Sequence, residues 1–221
     1  MTAAYLERGA IAGIVGGLGY GLFQATAGNN FVAGLETFES GHSHGGGPVV
    51  DGATAAAISV GGGVLWGLLF GITVFGIGYY FLEPALPGGG LTRRLALAGA
   101  GFLTVSGAPW LLLPPQPPGV EQALATDTRL ALYGGMMVIG ALVAGASGLA
   151  YRRTAARHTA VTALATALPL AVLAVPVGLA PANATSGAVP PSLVAAYRWT
   201  VVFGQLGLWA TIAAVHTWLG E

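Results

Sequence analysis

The stretch "ESGHSHGGGPVVD", residues 39 to 51, is where this chain gathers side chains able to hold a cation. Glu36, Glu39, His42, His44 and Asp51 supply three carboxylates and two imidazoles within a short span of sequence. That mixture of oxygen and nitrogen donors suits a borderline divalent ion such as Co²⁺, Ni²⁺ or Zn²⁺. No arginine lies among them, so their negative charge raises the local cation concentration even before any ligand closes on the ion. A His-x-His pair in a glycine tract is not a preorganised site, and the same residues also make a plain solvated linker. Both readings stay open at this point.

The elements that must position these residues are unlike those of a soluble domain. The chain is 54% hydrophobic and 7% charged, against about 25% charged in a typical soluble domain. It cannot cover its own surface with polar groups in water, so it belongs in a bilayer. All eight basic residues are arginine and there is no cysteine. A Walker A lysine, a lysine Schiff base, a disulfide and a thiolate metal site are therefore excluded, and any ATP hydrolysis by a P-loop has to come from a partner. The formal net charge of zero gives no support for nucleic-acid binding.

Six apolar stretches are long enough to span, at about residues 9–27, 57–82, 93–113, 130–151, 159–180 and 192–218. The sequence thus predicts an all-α integral membrane protein of the cell membrane, one transmembrane domain over residues 1–221. The first stretch contains the triplet Ala25-Thr26-Ala27 that a signal peptidase could cleave, but its glycine pattern is that of a retained, packed helix. Arg8, Arg93, Arg94, Arg152, Arg153 and Arg157 fall on one side of the membrane, Arg129 and Arg198 on the other. That bias puts both termini in the cytoplasm. It leaves two external loops, an acidic His loop at 28–56 and a Pro-rich loop at 114–129.

Gly13, Gly17 and Gly21 in the first span and Gly63, Gly67 and Gly71 in the second recur every four residues, which stacks each set on one helix face and predicts a close helix pair. The four prolines around Gln116 end the third span near Leu113 in a stiff turn, and a short amphipathic segment is expected to lead from there into the fourth. No carboxylate falls at mid-membrane; Glu83 lies at the cytoplasmic end of the second span. A polar path would have to use groups such as Gln24, Gln205 and His216. His216, beside Trp218, reads either as a metal exit ligand or as an interfacial residue in an aromatic belt.

The order of these features is similar to that of a known family. The proline run "PPQPPGV" after an aromatic-proline span end, the "TRLALY" that follows, the N-terminal "ERGAIAGIVGGLGYGLFQA", a His-bearing loop and a Gly-rich second helix together resemble the CbtA family of predicted cobalt transporter subunits. The positions matching the family motif are Pro114, Pro115, Gln116, Pro117, Pro118, Arg129 and Tyr133. The family usually shows asparagine where this chain has Gln116, and is usually described with five spans where six are counted here. The resemblance implies a membrane component of cobalt uptake for cobalamin synthesis, working with a small single-span, His-bearing, CbtB-like subunit.

Two functional classes follow. One is a divalent-metal uptake component, with cobalt as transported ion and no permanently bound cofactor. The other is a non-transporting scaffold that assembles with a separate transporter. No enzymatic role is expected: no facing histidine pair is present for heme, since only His158 and His216 fall near helices.

Overall fold

In the computed structural model, which describes residues 2–39 and 51–221, six helices are long and apolar enough to cross a membrane. They are α1 (Ala3–Leu35), α2 (Gly52–Leu82), α3 (Gly90–Leu112), α4 (Thr126–Thr154), α5 (Thr159–Leu179) and α6 (Pro191–Trp218). The protein is a multi-pass, all-α membrane protein, with the six spans that the hydropathy gives.

α1 is the hub, packing along α2 and against α6, while α6 also packs on α3. α4 joins α3 to α5. α5 buries least of itself and α6 most. The α1–α2 contact is made by the two glycine ladders. A Cβ built on Gly17 would lie 2.5 Å from the Gly63 carbonyl oxygen, and one on Gly63 would lie 2.6 Å from that of Gly17. Gly13 and Gly67 face each other in the same way, as do Gly9 and Gly71, so the two backbones touch along four turns. At such a distance the contact is dispersion plus Cα–H···O attraction, which needs the absence of side chains on both faces.

The two loops that the arginine bias assigns to the outside are shorter than the sequence predicts. Residues 28–39 do not form loop: α1 passes through a π-helical turn at Gln24–Gly28 and continues as helix over Asn29–Glu39. Hydropathy falls at Asn29-Asn30, but no proline breaks the hydrogen-bond ladder there. At the other edge Asp51 caps α2. Its Oδ1 accepts from the Ala53 and Thr54 amides at 3.0 Å each and its Oδ2 from the Thr54 hydroxyl at 2.7 Å. The Thr54 bonds hold this carboxyl below its usual range.

The Pro-rich loop also ends early, because α4 starts at Thr126 with Asp127 in its first turn, where a carboxylate favours a helix N-terminus. The amphipathic segment expected before α4 is instead a two-residue strand. β1 (Glu121–Gln122) pairs antiparallel with β2 (Thr185–Ser186), tying the α3–α4 connection to the α5–α6 connection. Asn183 reinforces the joint by accepting from the Leu124 amide at 3.2 Å and donating to Gln122 Oε1 at 2.9 Å.

Three further spans leave regular α geometry. α2 is π-helical over Gly71–Gly78 and α3 over Leu103–Gly107. Such segments interrupt the i→i−4 ladder and often accompany functional sites. In α5 a 3₁₀ stretch covers Leu168–Leu173, and Pro169 within it and Pro176 just beyond it remove two backbone donors.

Candidate functional site

The polar side chains of the bundle fall into three levels along α1, α2 and α6. The first is the end opposite the chain termini. Ser59 of α2 donates to Asn29 Oδ1 at 3.0 Å. Below it, Gln24 and Gln205 each carry a buried Oε1 with no hydrogen-bond partner, and Gln205 lies beside the Tyr20 hydroxyl. An amide oxygen left without a donor in an apolar bundle is an acceptor held ready for a cation or a water.

The second level is aromatic. Phe70 stacks on Trp209 with ring centroids 4.7 Å apart, and Phe75 sits 6.3 Å away on the same indole. Trp209 is 1% exposed and packs against Gly101 of α3, where a side chain would collide with the ring. With Ala12, Leu208 and Ile212 these rings form the buried core. They pack between the polar levels on either side.

The third level is a network at the end carrying the chain termini, built from residues far apart in the sequence. Glu83, directly after α2, accepts from Tyr5 of α1 at 2.7 Å and from Tyr79 at 3.2 Å, and pairs with Arg93 of α3 at 3.4 Å. The Tyr5 hydroxyl above all, then Tyr79 and the two arginines, hold the Glu83 carboxyl below its usual value against the opposing effect of burial. Arg94 lies over the Tyr79 ring, 5.0 Å from its centroid, and its Nε donates to His216 Nδ1 at 3.0 Å. His216 is fully buried, packed between Phe75 and Tyr79 rather than lying in an exposed aromatic belt. Because Nδ1 accepts, the ring proton is on Nε2, which is buried.

This network joins four spans, and the bonds to its carboxylate are strongest when Glu83 is ionised. Its folded pKa is depressed, so its stabilisation is present above the unfolded value of about 4 and is lost as pH falls through the lower folded value. A Glu83→Gln protein should therefore melt at lower temperature than wild type near neutral pH, with the gap closing in acid. A gap that stays constant from pH 7 to pH 3 would remove Glu83 from the account of the end that carries the chain termini.

The remaining sequence-derived residues distribute as follows. His42 and His44 lie outside the described residues, as do the side chains of Glu36 and Glu39, whose backbone is helical. Asp51 is occupied as the α2 cap. Among the described residues no group of three or more His, Cys, Asp or Glu side chains could hold a metal ion. The proline motif is brought together with α6: Arg198 donates to the Pro115 carbonyl at 3.3 Å and to Gln116 Oε1 at 3.1 Å, and Pro117 is buried. Tyr133 of α4 donates to the Val105 carbonyl at 2.6 Å, inside the π-helical part of α3. Arg129 Nη2 donates to Thr126 Oγ1 at 3.1 Å, while its Nε is buried without a partner. Arg198, which reads from sequence as an isolated interfacial anchor, is thus the clamp on the motif.

A family model described as "Probable cobalt transporter subunit (CbtA)" matches residues 2–221. No curated protein and no solved structure matches the chain.

Proposed function

This chain belongs to the CbtA family of probable cobalt transporter subunits, and from that premise we propose that it forms the membrane route for cobalt itself, between α1, α2 and α6. The match over residues 2–221, on a six-span membrane bundle, carries the reading. It is supported by the polar levels at either end of the Phe70–Trp209–Phe75 layer and by the unpartnered amide oxygens of Gln24 and Gln205. In this reading the aromatic layer is the closed gate. The acidic His segment with Glu36, Glu39, His42, His44 and Asp51 captures Co²⁺, or Ni²⁺ or Zn²⁺, outside. A small single-span, His-bearing partner works beside it.

The arginine bias orients the bundle with the Glu83–His216 end in the cytoplasm. A cysteine tag at Gly46 should react with an impermeant thiol reagent on intact cells, and one at Ala155 only after permeabilisation. Reaction of both on intact cells would overturn this orientation.

If the two histidines capture the ion, changing both His42 and His44 to alanine should cut radiocobalt uptake several-fold at low external metal and little at saturation. The deficit should shrink below about pH 6.5, where protonated imidazole no longer ligates even in wild type. Equal uptake by both proteins at the lowest cobalt concentrations would return the segment to a linker.

A second reading, a scaffold that stabilises a separate transporter, is favoured by one observation. The aromatic layer packs between the polar levels, and no carboxylate stands among the described buried side chains of the spans.

A further inference from the structure

Two clefts open beside the bundle on the face formed by α3, α4 and α5, away from the α1–α2–α6 interior. One, of about 650 Å³, lies between α3, α4 and α5; the other, of about 540 Å³, lies between α2, α3 and α4. They share Leu86, Pro87, Ala100, Ala144 and Gly148, so they are two arms of one groove. Its walls are mostly Ala, Gly, Leu and Thr, and Ser147 contributes a buried hydroxyl with no partner. The two arms share Leu86 and Pro87 at the end that carries the arginines, where Arg157 lines one and Arg152 the other. Neither guanidinium makes a hydrogen bond or ion pair among the described residues.

We infer that this groove holds an anionic phospholipid, its two acyl chains in the two arms and its phosphate between Arg152 and Arg157. An apolar slot with two arms matches two hydrocarbon chains. Two unpaired arginines at its mouth match a negative headgroup, and basic pockets between spans on the cytoplasmic side are where such headgroups bind. The small residues are what leaves the room. A side chain added at Gly99 or Gly148 would meet nothing within 4 Å, so these glycines are not needed for helix packing and instead keep the groove empty of protein. The occupant is bilayer lipid, not free phosphate, because the apolar arms contribute contact that inorganic phosphate cannot use.

Native mass spectrometry of the full chain, mixed in detergent with phosphatidylglycerol or phosphatidylcholine of the same acyl chains, tests this. Wild type should prefer phosphatidylglycerol by about 30-fold, the combined attraction expected of two arginines near an anionic headgroup. Arg152→Gln with Arg157→Gln should lose the preference, and Gly148→Phe, whose Cβ meets nothing within 4 Å and whose ring occupies the groove, should lose both lipids together. Arg153→Gln, an equal change of charge that lines neither arm, should leave the preference within about twofold. Inorganic phosphate should not compete. Equal binding of the two lipids by wild type would overturn the inference, as would a preference that survives either the arginine changes or Gly148→Phe. The arginine and glycine changes act on different parts of the groove, so a folding defect in one, seen as a lowered melting temperature in phosphatidylcholine, leaves the other to decide.

Discussion

A Gly67→Val protein should fail to hold its first two spans together, giving a heterogeneous species on size exclusion in detergent and a melting temperature far below that of wild type. The reason is geometric. A Cβ at Gly67 would collide with the Gly13 carbonyl oxygen and stand 2.6 Å from the Gly17 Cα. Both are backbone atoms in the middle of a helix, so no side-chain rotation relieves the clash and the two helices must part. Overpacking in a filled core costs about 1–3 kcal/mol where side chains can yield, and here the separation also weakens the Gly9–Gly71 and Gly17–Gly63 contacts on either side. Gly61→Val is the matched control, since a side chain there meets nothing within 4 Å on the same helix. Equal stability of the two variants would show that the glycine ladder is not what joins α1 to α2.

That ladder was legible because glycine at a spacing of four has one meaning for a helix face in lipid, and both ladders carry it. The six spans were legible for a similar reason: length and apolar content suffice when the solvent is hydrocarbon. The loop edges were not. Residues 28–39 are polar enough to read as loop, yet a helix continues until something replaces its hydrogen bonds, and nothing between Gly28 and Glu39 does so.

The candidate site was read in part. Gln24 and Gln205 stood out as polar residues in apolar stretches. The network around Glu83 did not, because it joins Tyr5, Glu83, Arg93, Arg94 and His216 from four separate spans. Only the short separation of Glu83 from Arg93 and Arg94 hinted at it, and His216 gave no sign that its imidazole faces an arginine rather than solvent or a metal. The clamp of Arg198 on Pro115 and Gln116 was equally hidden, being 82 residues apart from Gln116 in sequence.

The second large effect is expected at Gln205. Its Oε1 is buried near the midpoint of α6 and accepts no hydrogen bond, so replacing it by leucine of similar volume gives up no bond at that oxygen, only the contact of its amide with the Tyr20 hydroxyl. For an ion passing between α1 and α6, the same change removes a polar contact to a charged species in an apolar bundle. Such contacts are worth about 1.5–3 kcal/mol, so cobalt passage should slow by roughly 10- to 150-fold.

Radiocobalt uptake at matched membrane abundance, in cells producing wild type or Gln205→Leu together with the partner subunit, therefore separates a conducting chain from a scaffold. A conducting chain predicts a loss of uptake of at least about tenfold with unchanged protein level and melting temperature. Uptake equal to wild type, in a Gln205→Leu protein that assembles normally, would contradict a cobalt route through α1, α2 and α6.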